Sequence, residues 1–257
     1  MKNFNDDSEY YGDWEWTTNS QLGYVQKSPS FYWMMRNGGK IDGPALRFGN
    51  LFHTLVLEPQ EYAKRFVIFN PEDRPEQGKG MTSIINKKWK SRLEETCKEE
   101  GKLMMSLDDY ELALRLRNKM EGVQEIKSML DASDKEVPNT WIDFNTMSKC
   151  KGKCDMIIDG DVIVDIKTTG TDIKDFRRKA YNYGYHRQAA FYLDGFGVKE
   201  FIFVVIETKA PHQIGIFRAS EDFLSRGREE YISLLETKKR YCESNTQATN
   251  HIIHEEL

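Results

Sequence analysis

The sequence predicts an α/β (α+β) fold, with one mixed central sheet flanked by helices. Two observations carry this. Apolar, β-branched runs recur near 136–144, 150–158, 162–168, 201–206 and 212–217. Helix-period patterns fill the chain before them and the gap between the third and fourth, which places helices on both faces of a sheet. With 257 residues the chain can bury a good core. It reads as a single domain over 18–257, with a helical elaboration at about 71–131.

Residues 1–17 are acidic and aromatic without a period, and read as a mobile tail. Ser20 can cap a short helix. Ser28-Pro29 can open another, with proline in the first turn, where its missing N–H is no loss. Residues 44–57 form an amphipathic helix with apolar positions 46, 48, 51, 52, 55 and 56. Gly49 and His53 are four apart and share a face, and the bare glycine leaves room for metal or DNA to approach. Pro71 to Gly80 is a loop. Helices follow near 82–99, 107–119 and 122–131, then the first three strands. Helices near 172–182 and 186–195 are interrupted by Tyr183-Gly184-Tyr185, and a last helix spans 221–243.

Bulk properties exclude several classes. No apolar run is long enough to cross a membrane, and the N-terminus lacks the basic and apolar regions of a signal peptide, so a cytoplasmic protein is expected. The four cysteines have neither zinc nor iron–sulfur spacing. Gly78-Lys79-Gly80 lacks P-loop spacing, so no motor is expected. A net charge of −4 argues against nonspecific DNA coating but suits an enzyme that concentrates basic residues where a strand passes. Three basic patches, 87–92, 177–179 and 238–240, read first as solvated helix faces. The first two are the candidates for backbone phosphate contact.

The chemistry concentrates at Asp155, Asp165 and Lys167, which end apolar β-type runs. Asp159-Gly160 marks a hairpin between them. A two-residue loop would send the aspartates to opposite faces. The three-residue loop Asp159-Gly160-Asp161 pairs Asp155 with Asp165. One face then carries Asp155, Ile157, Ile163, Asp165 and Lys167. The other carries Cys154, Met156, Ile158, Val162, Val164 and Ile166, all apolar. Burial selects the second register, because a slip would mix the faces. Facing carboxylates destabilise a sheet by up to roughly 1 kcal/mol. A magnesium ion, which takes carboxylates, waters and phosphate oxygens, would offset this. A solvated face with two acids and a lysine is the plainer alternative.

The run D-x(9)-D-I-K-T-T, followed by Gly184-Tyr185-His186-Arg187-Gln188-Ala189-Ala190-Phe191-Tyr192, resembles the PD-(D/E)xK nuclease superfamily. Within it the chain is most similar to the RecE (exonuclease VIII) branch and its phage relatives. Upstream, Gly49-x-x-x-His53 followed by Leu57-Glu58-Pro59 resembles that family's first motif. Thr18 to Leu22 and Ser28 to Phe31 resemble its N-terminal entry, so the likeness runs from about 18 to about 243.

The resemblance implies a restriction-endonuclease-like core of the lambda-exonuclease kind. It also implies a two-metal exodeoxyribonuclease using Mg2+, or Mn2+ given a histidine ligand. Asp155, Asp165, His53 and the carbonyl of Ile166 would hold metal, and Lys167 would orient or help deprotonate the attacking water, or hold the scissile phosphate. Gln188 and Tyr192, on one helix face, would touch the strand being cut. Arg47 would hold a terminal 5′ phosphate, unless it is a surface ion pair. Glu58 and Glu136 are further acids by the site, although Glu58 stands one position later than in many relatives. The resemblance further implies 5′-to-3′ degradation of linear duplex DNA, a homo-oligomeric ring, a RecT-like single-strand annealing partner, and a phage or prophage origin. The rivals are a RecB-type single-strand or flap nuclease in repair, a catalytically inactive DNA-binding subunit, and a hydrolase of small phosphoesters.

Overall fold

A computed structural model describes residues 7–243. In chain order the first elements are α1 (Asp7–Gly12), α2 (Asn19–Lys27), α3 (Pro29–Arg36), α4 (Pro44–Leu57), α5 (Tyr62–Arg65), β1 (Phe66–Phe69), α6 (Ile84–Glu99) and β2 (Leu103–Ser106). There follow α7 (Leu107–Glu121), α8 (Gln124–Ala132), β3 (Ser133–Ile142), β4 (Lys149–Ile158), β5 (Val162–Thr169), α9 (Phe176–Asn182), α10 (Tyr185–Phe196), β6 (Glu200–Glu207), β7 (Ile214–Arg218) and α11 (Glu221–Lys238).

The main sheet has the order β3-β4-β5-β6-β7, with β5 and β6 parallel and the other neighbours antiparallel. The parallel pair needs a crossover, and α9 and α10 supply it. Helices α4, α7 and α8 bury one face over Met156, Val164, Ile166, Ile202, Val204 and Ile206. Helices α9, α10 and α11 bury the other over Cys154, Ile163, Phe201, Phe203 and Val205. This two-sided burial explains why Phe201 to Ile206 reads as a continuous apolar run rather than an alternating one.

Helix starts follow the capping residues. Thr18, Ser28, Ser83, Ser106 and Ser220 each accept a backbone N–H of the helix they precede. The cap of α2 is thus Thr18, not Ser20. Close helix packing depends on glycine at two places. A Cβ on Gly227 of α11 would lie 2.1 Å from the His186 carbonyl of α10, and one on Gly195 of α10 would lie 2.3 Å from the Trp141 ring.

Three expectations need correction. The region expected to be purely helical contains β2, which pairs in parallel with β1 as a separate two-stranded sheet. Four-residue strands carry too little alternation to stand out in a sequence. The described part of the expected tail is docked: α1 forms, and Thr17 makes a parallel bridge to Cys150. Residues 1–6 lie outside the described residues. Lys238, expected on a solvated face, is buried with its ammonium 5.8 Å from the Tyr32 ring centre. All four cysteines are buried, and no helix among the described residues is long and apolar enough to cross a membrane.

Candidate active site

The β4–β5 hairpin has the predicted three-residue loop, with Asp159 and Gly160 both at positive φ. The register is the predicted one, but the ladder stops one pair short, at Met156↔Val164. Beyond it β5 swings away, and Asp155 bonds across with its side chain instead: its Oδ2 accepts the Ile166 N–H at 2.8 Å. On the other side the β3–β4 pairing skips Glu136, which opposes Asp155 and has φ 54°. The interruption also resets the face pattern. Cys154 packs with Ile163, on the opposite face from Met156, which corrects the expected grouping.

Four elements meet where the strands part. From α4, His53 Nδ1 comes within 3.4 Å of Asp155 Oδ2. From α10, Gln188 Nε2 donates to Asp165 Oδ1 at 2.7 Å. From β5, Lys167 Nζ lies 2.5 Å from Asp165 Oδ2 and 5.1 Å from the Tyr185 ring centre. The lysine contact is a short ion pair that holds the buried Asp165 Oδ2. Tyr192 stands one turn beyond Gln188 and packs on the bare backbone of Gly152.

The charges in this pocket hold one another. Burial pushes the Asp165 carboxyl up to about 6, with the Asp155 charge adding and Lys167 opposing. Burial also acts to raise Asp155, but His53, Lys167 and the Ile166 N–H win and hold it below the usual carboxylate range. Lys167 is held above its ordinary value, because Asp165 and Asp155 outweigh burial. His53 is likewise raised, burial being outweighed by Asp155.

The acids expected nearby are present but engaged. Glu136 pairs with Lys153 at 2.7 Å, and burial, with Asp155 and Glu58 adding, raises its carboxyl despite that lysine. Glu58, just past the end of α4, pairs with Arg65 at 2.7 Å. Arg47 is bound to Asp42 at the exposed start of α4, so its bonds go to a surface ion pair rather than to the carboxylate cluster.

The sheet thus parts to bring two aspartates, a lysine and a helix glutamine together. Residues 19–250 match the family described as a PDDEXK-like domain of unknown function (DUF3799). The chain belongs to that family. No curated protein matches it in sequence. Among solved structures it is similar to a candidate exonuclease from Eubacterium rectale, with TM-score 0.60, 17% identity, and coverage of 100% of this chain and 96% of that one. It also overlaps a phage related exonuclease from Haemophilus somnus 129PT, with TM-score 0.35, 12% identity, and coverage of 62% and 82%, too loosely to add weight. The first likeness shows the fold.

PDDEXK nucleases generally use divalent metal ions, and the residues here fit one. Asp165 and Asp155 are carboxylates gathered at one point, the first buried, and carboxylate oxygens are the donors such an ion takes. Among the described residues no three His, Cys, Asp or Glu side chains form a metal-sized cluster. His53 stands beside Asp155 and does not close a preformed three-ligand set with both aspartates.

Sequence reasoning missed one residue beside the carboxylate cluster, Tyr185, and one buried lysine away from it, Lys151. Tyr185 caps Lys167 with its ring, and the signal was its place in the Gly184-Tyr185 pair beside the glutamine motif. Lys151 is fully buried and donates to the backbone carbonyls of Tyr10 and Asp13. No sequence signal marked that lysine as a buried one. His186 and Arg187 of the same motif turn away from the site. Their partner is Glu230 of α11, at 2.6 Å and 2.5 Å.

Proposed function

We propose that this PDDEXK domain is a metal-dependent deoxyribonuclease, acting 5′ to 3′ on linear duplex DNA and leaving a 3′ single strand for annealing. The observation that carries the nuclease reading is the meeting of Asp155, Asp165, Lys167 and Gln188 where β4 and β5 part. Asp155, Asp165, the Ile166 carbonyl and His53 would hold Mg2+ or Mn2+, as two ions in the full site. Bound there, the metal supplies charge neutralisation at the phosphate and an activated water.

The protein's own groups fix the geometry. Gln188 holds one oxygen of Asp165, and the Ile166 N–H and His53 hold Asp155. With its proton held firmly, Lys167 orients the water or grips the scissile phosphate rather than acting as the base. Tyr192 borders the strand. The polarity, the ring assembly and the RecT-like partner rest on the family resemblance alone.

The test is a linear duplex labelled at one 5′ end, incubated with and without Mg2+ or Mn2+ beside Asp165→Ala. A closed circle and a dephosphorylated end serve as controls. Metal-dependent loss of the 5′ label from linear DNA alone, absent in the variant, is the expected result. Attack on single strands or flaps in preference to duplex ends would favour the RecB-type reading. Intact substrates in both metals would remove the catalytic assignment and leave a DNA-binding subunit.

A further inference from the structure

A glycine inside a helix costs stability against alanine, so each one calls for a reason. Gly195 and Gly227 have theirs in the close approach of Trp141 and the His186 carbonyl, and a Cβ on Gly23 would lie 3.2 Å from the Arg187 guanidinium. Gly49, in the middle of α4, has no such neighbour: a Cβ there would find nothing within 4 Å outside its own turn of helix. The open space continues along one face. Leu46, Gly49, Asn50 and His53 follow one another at helical spacing and are all exposed or half-buried. Phe48, Leu51, Phe52 and Leu55 fill the core on the other side. Leu46 is 47% exposed, and the Asn50 amide makes no hydrogen bond among the described residues. Beyond His53 the face closes, since Thr54, Leu55, Val56 and Leu57 are all buried. His53 is also where the face meets the carboxylate cluster, with Nδ1 3.4 Å from Asp155 Oδ2. At about 1.5 Å per residue, Gly49 lies about 6 Å and Leu46 about 10 Å from that point along the helix axis.

We propose that α4 is the track for the strand being cut. The sugar–phosphate backbone beside the scissile phosphate crosses the helix at Gly49 and lies against its bare main chain. The Asn50 amide donates to a phosphate oxygen, and the strand then passes Leu46. This rests on the nuclease reading and adds to it a substrate contact outside the metal ligands. The protein's own packing does not ask for glycine at 49, whereas a side chain there would stand where the strand lies. Between Leu46 and His53 the face carries no carboxylate, and Asp42 at its outer end is neutralised by Arg47, so nothing along it repels phosphate.

The test uses the full chain, a linear duplex labelled with fluorescein at one 5′ end, and the variants Gly49→Ala, Gly49→Leu and Asn50→Ala. Each is melted without DNA, titrated by anisotropy in EDTA, and assayed for cleavage across a Mg2+ series. With open space at the Cβ, Gly49→Ala should raise Tm by about 2–4 °C. The same methyl should weaken DNA binding and raise KM by roughly tenfold, and Gly49→Leu by more. Stability and activity thus move in opposite directions, which a packing role for the glycine would not produce. Asn50→Ala loses one hydrogen bond to a charged group and should bind roughly tenfold more weakly at an unchanged Tm. The Mg2+ concentration for half-maximal cleavage should stay that of the wild type in all three. A Gly49→Ala protein less stable than the wild type would make the glycine a packing requirement and overturn the track. Wild-type affinity and KM in both Gly49 variants, with the wild type still cutting, would overturn it and leave the nuclease reading standing. A raised Mg2+ requirement in Gly49→Ala at unchanged DNA affinity would give the face to the ion instead of the strand. Wild-type affinity in Asn50→Ala would strike its amide from the contact. A wild type that cuts no strand in Mg2+ or Mn2+ would bring down the nuclease reading and the track with it.

Discussion

Gln188 touches the carboxylate cluster through a single bond, from its amide to Asp165 Oδ1 at 2.7 Å. A hydrogen bond to a charged group is worth about 1.5–3 kcal/mol, so Gln188→Ala should lower kcat by roughly 10- to 100-fold. Gln188→Glu should lower it further, because a second carboxylate would face one already burdened by burial. Steady-state cleavage of the linear duplex measures both, and a Gln188→Ala enzyme with unchanged kcat would remove the residue from the site. Cys154, one residue before Asp155, makes a different prediction. Burial, with Asp155 adding, pushes its thiol up to about 12, so almost no thiolate exists at pH 8. Iodoacetamide should leave Cys154 unmodified in the native protein and alkylate it after denaturation, as peptide mass spectrometry would show. Rapid native labelling would mean that β4 opens at the site.

At the level of elements, α10 faces two ways. One side offers Gln188 and Tyr192 to the sheet, and the other sends His186 and Arg187 to Glu230 on α11, with Arg187 also bonding Asn19 and Gln26 of α2. The first pair was legible because residues four apart share a face. The second was not, since its partners lie far off in sequence and nothing local records them. Burial acts to raise Glu230, but His186 and Arg187 hold it below the usual carboxylate range. A carboxyl lowered by folding stabilises the protein above its unfolded pKa, and that contribution is lost as pH falls through the folded value. Taking the wild type from pH 7 to below pH 4 should therefore cost more melting temperature than the same change costs Glu230→Gln. At pH 7 the variant should be less stable by about 3 kcal/mol, since it leaves the buried Arg187 cation only neutral partners, Asn19 and Gln26. Parallel acid limbs for the two proteins would show that the network does not govern acid unfolding.

Across the whole molecule, the site lies where one sheet stops being continuous. The five strands of the main sheet, the hairpin loop and its register were legible, because two-sided burial and Asp159-Gly160 leave one good pairing. The break at Asp155 was not, since a carboxylate taking a backbone N–H in place of a ladder bond looks like any strand residue in a sequence. The docking of α1 was hidden for the same reason: its anchors are carbonyls, which every residue has. The break joins α4 on one face of the sheet to α10 on the other through His53, Asp155, Asp165 and Gln188. A ligand bound there should therefore stabilise the fold globally, and not one lobe alone. At a Mg2+ concentration 100-fold above its Kd the gain is about 2.7 kcal/mol. In a chain of this size that raises Tm by roughly 5–11 °C. Asp165→Asn removes a carboxylate but keeps the shape and an oxygen for Gln188, so it should fold and lose that increment. Calorimetry with and without Mg2+ on both proteins separates the cases. An equal Mg2+ shift in the variant would mean that the ion binds elsewhere, and the two aspartates would lose their role as its ligands.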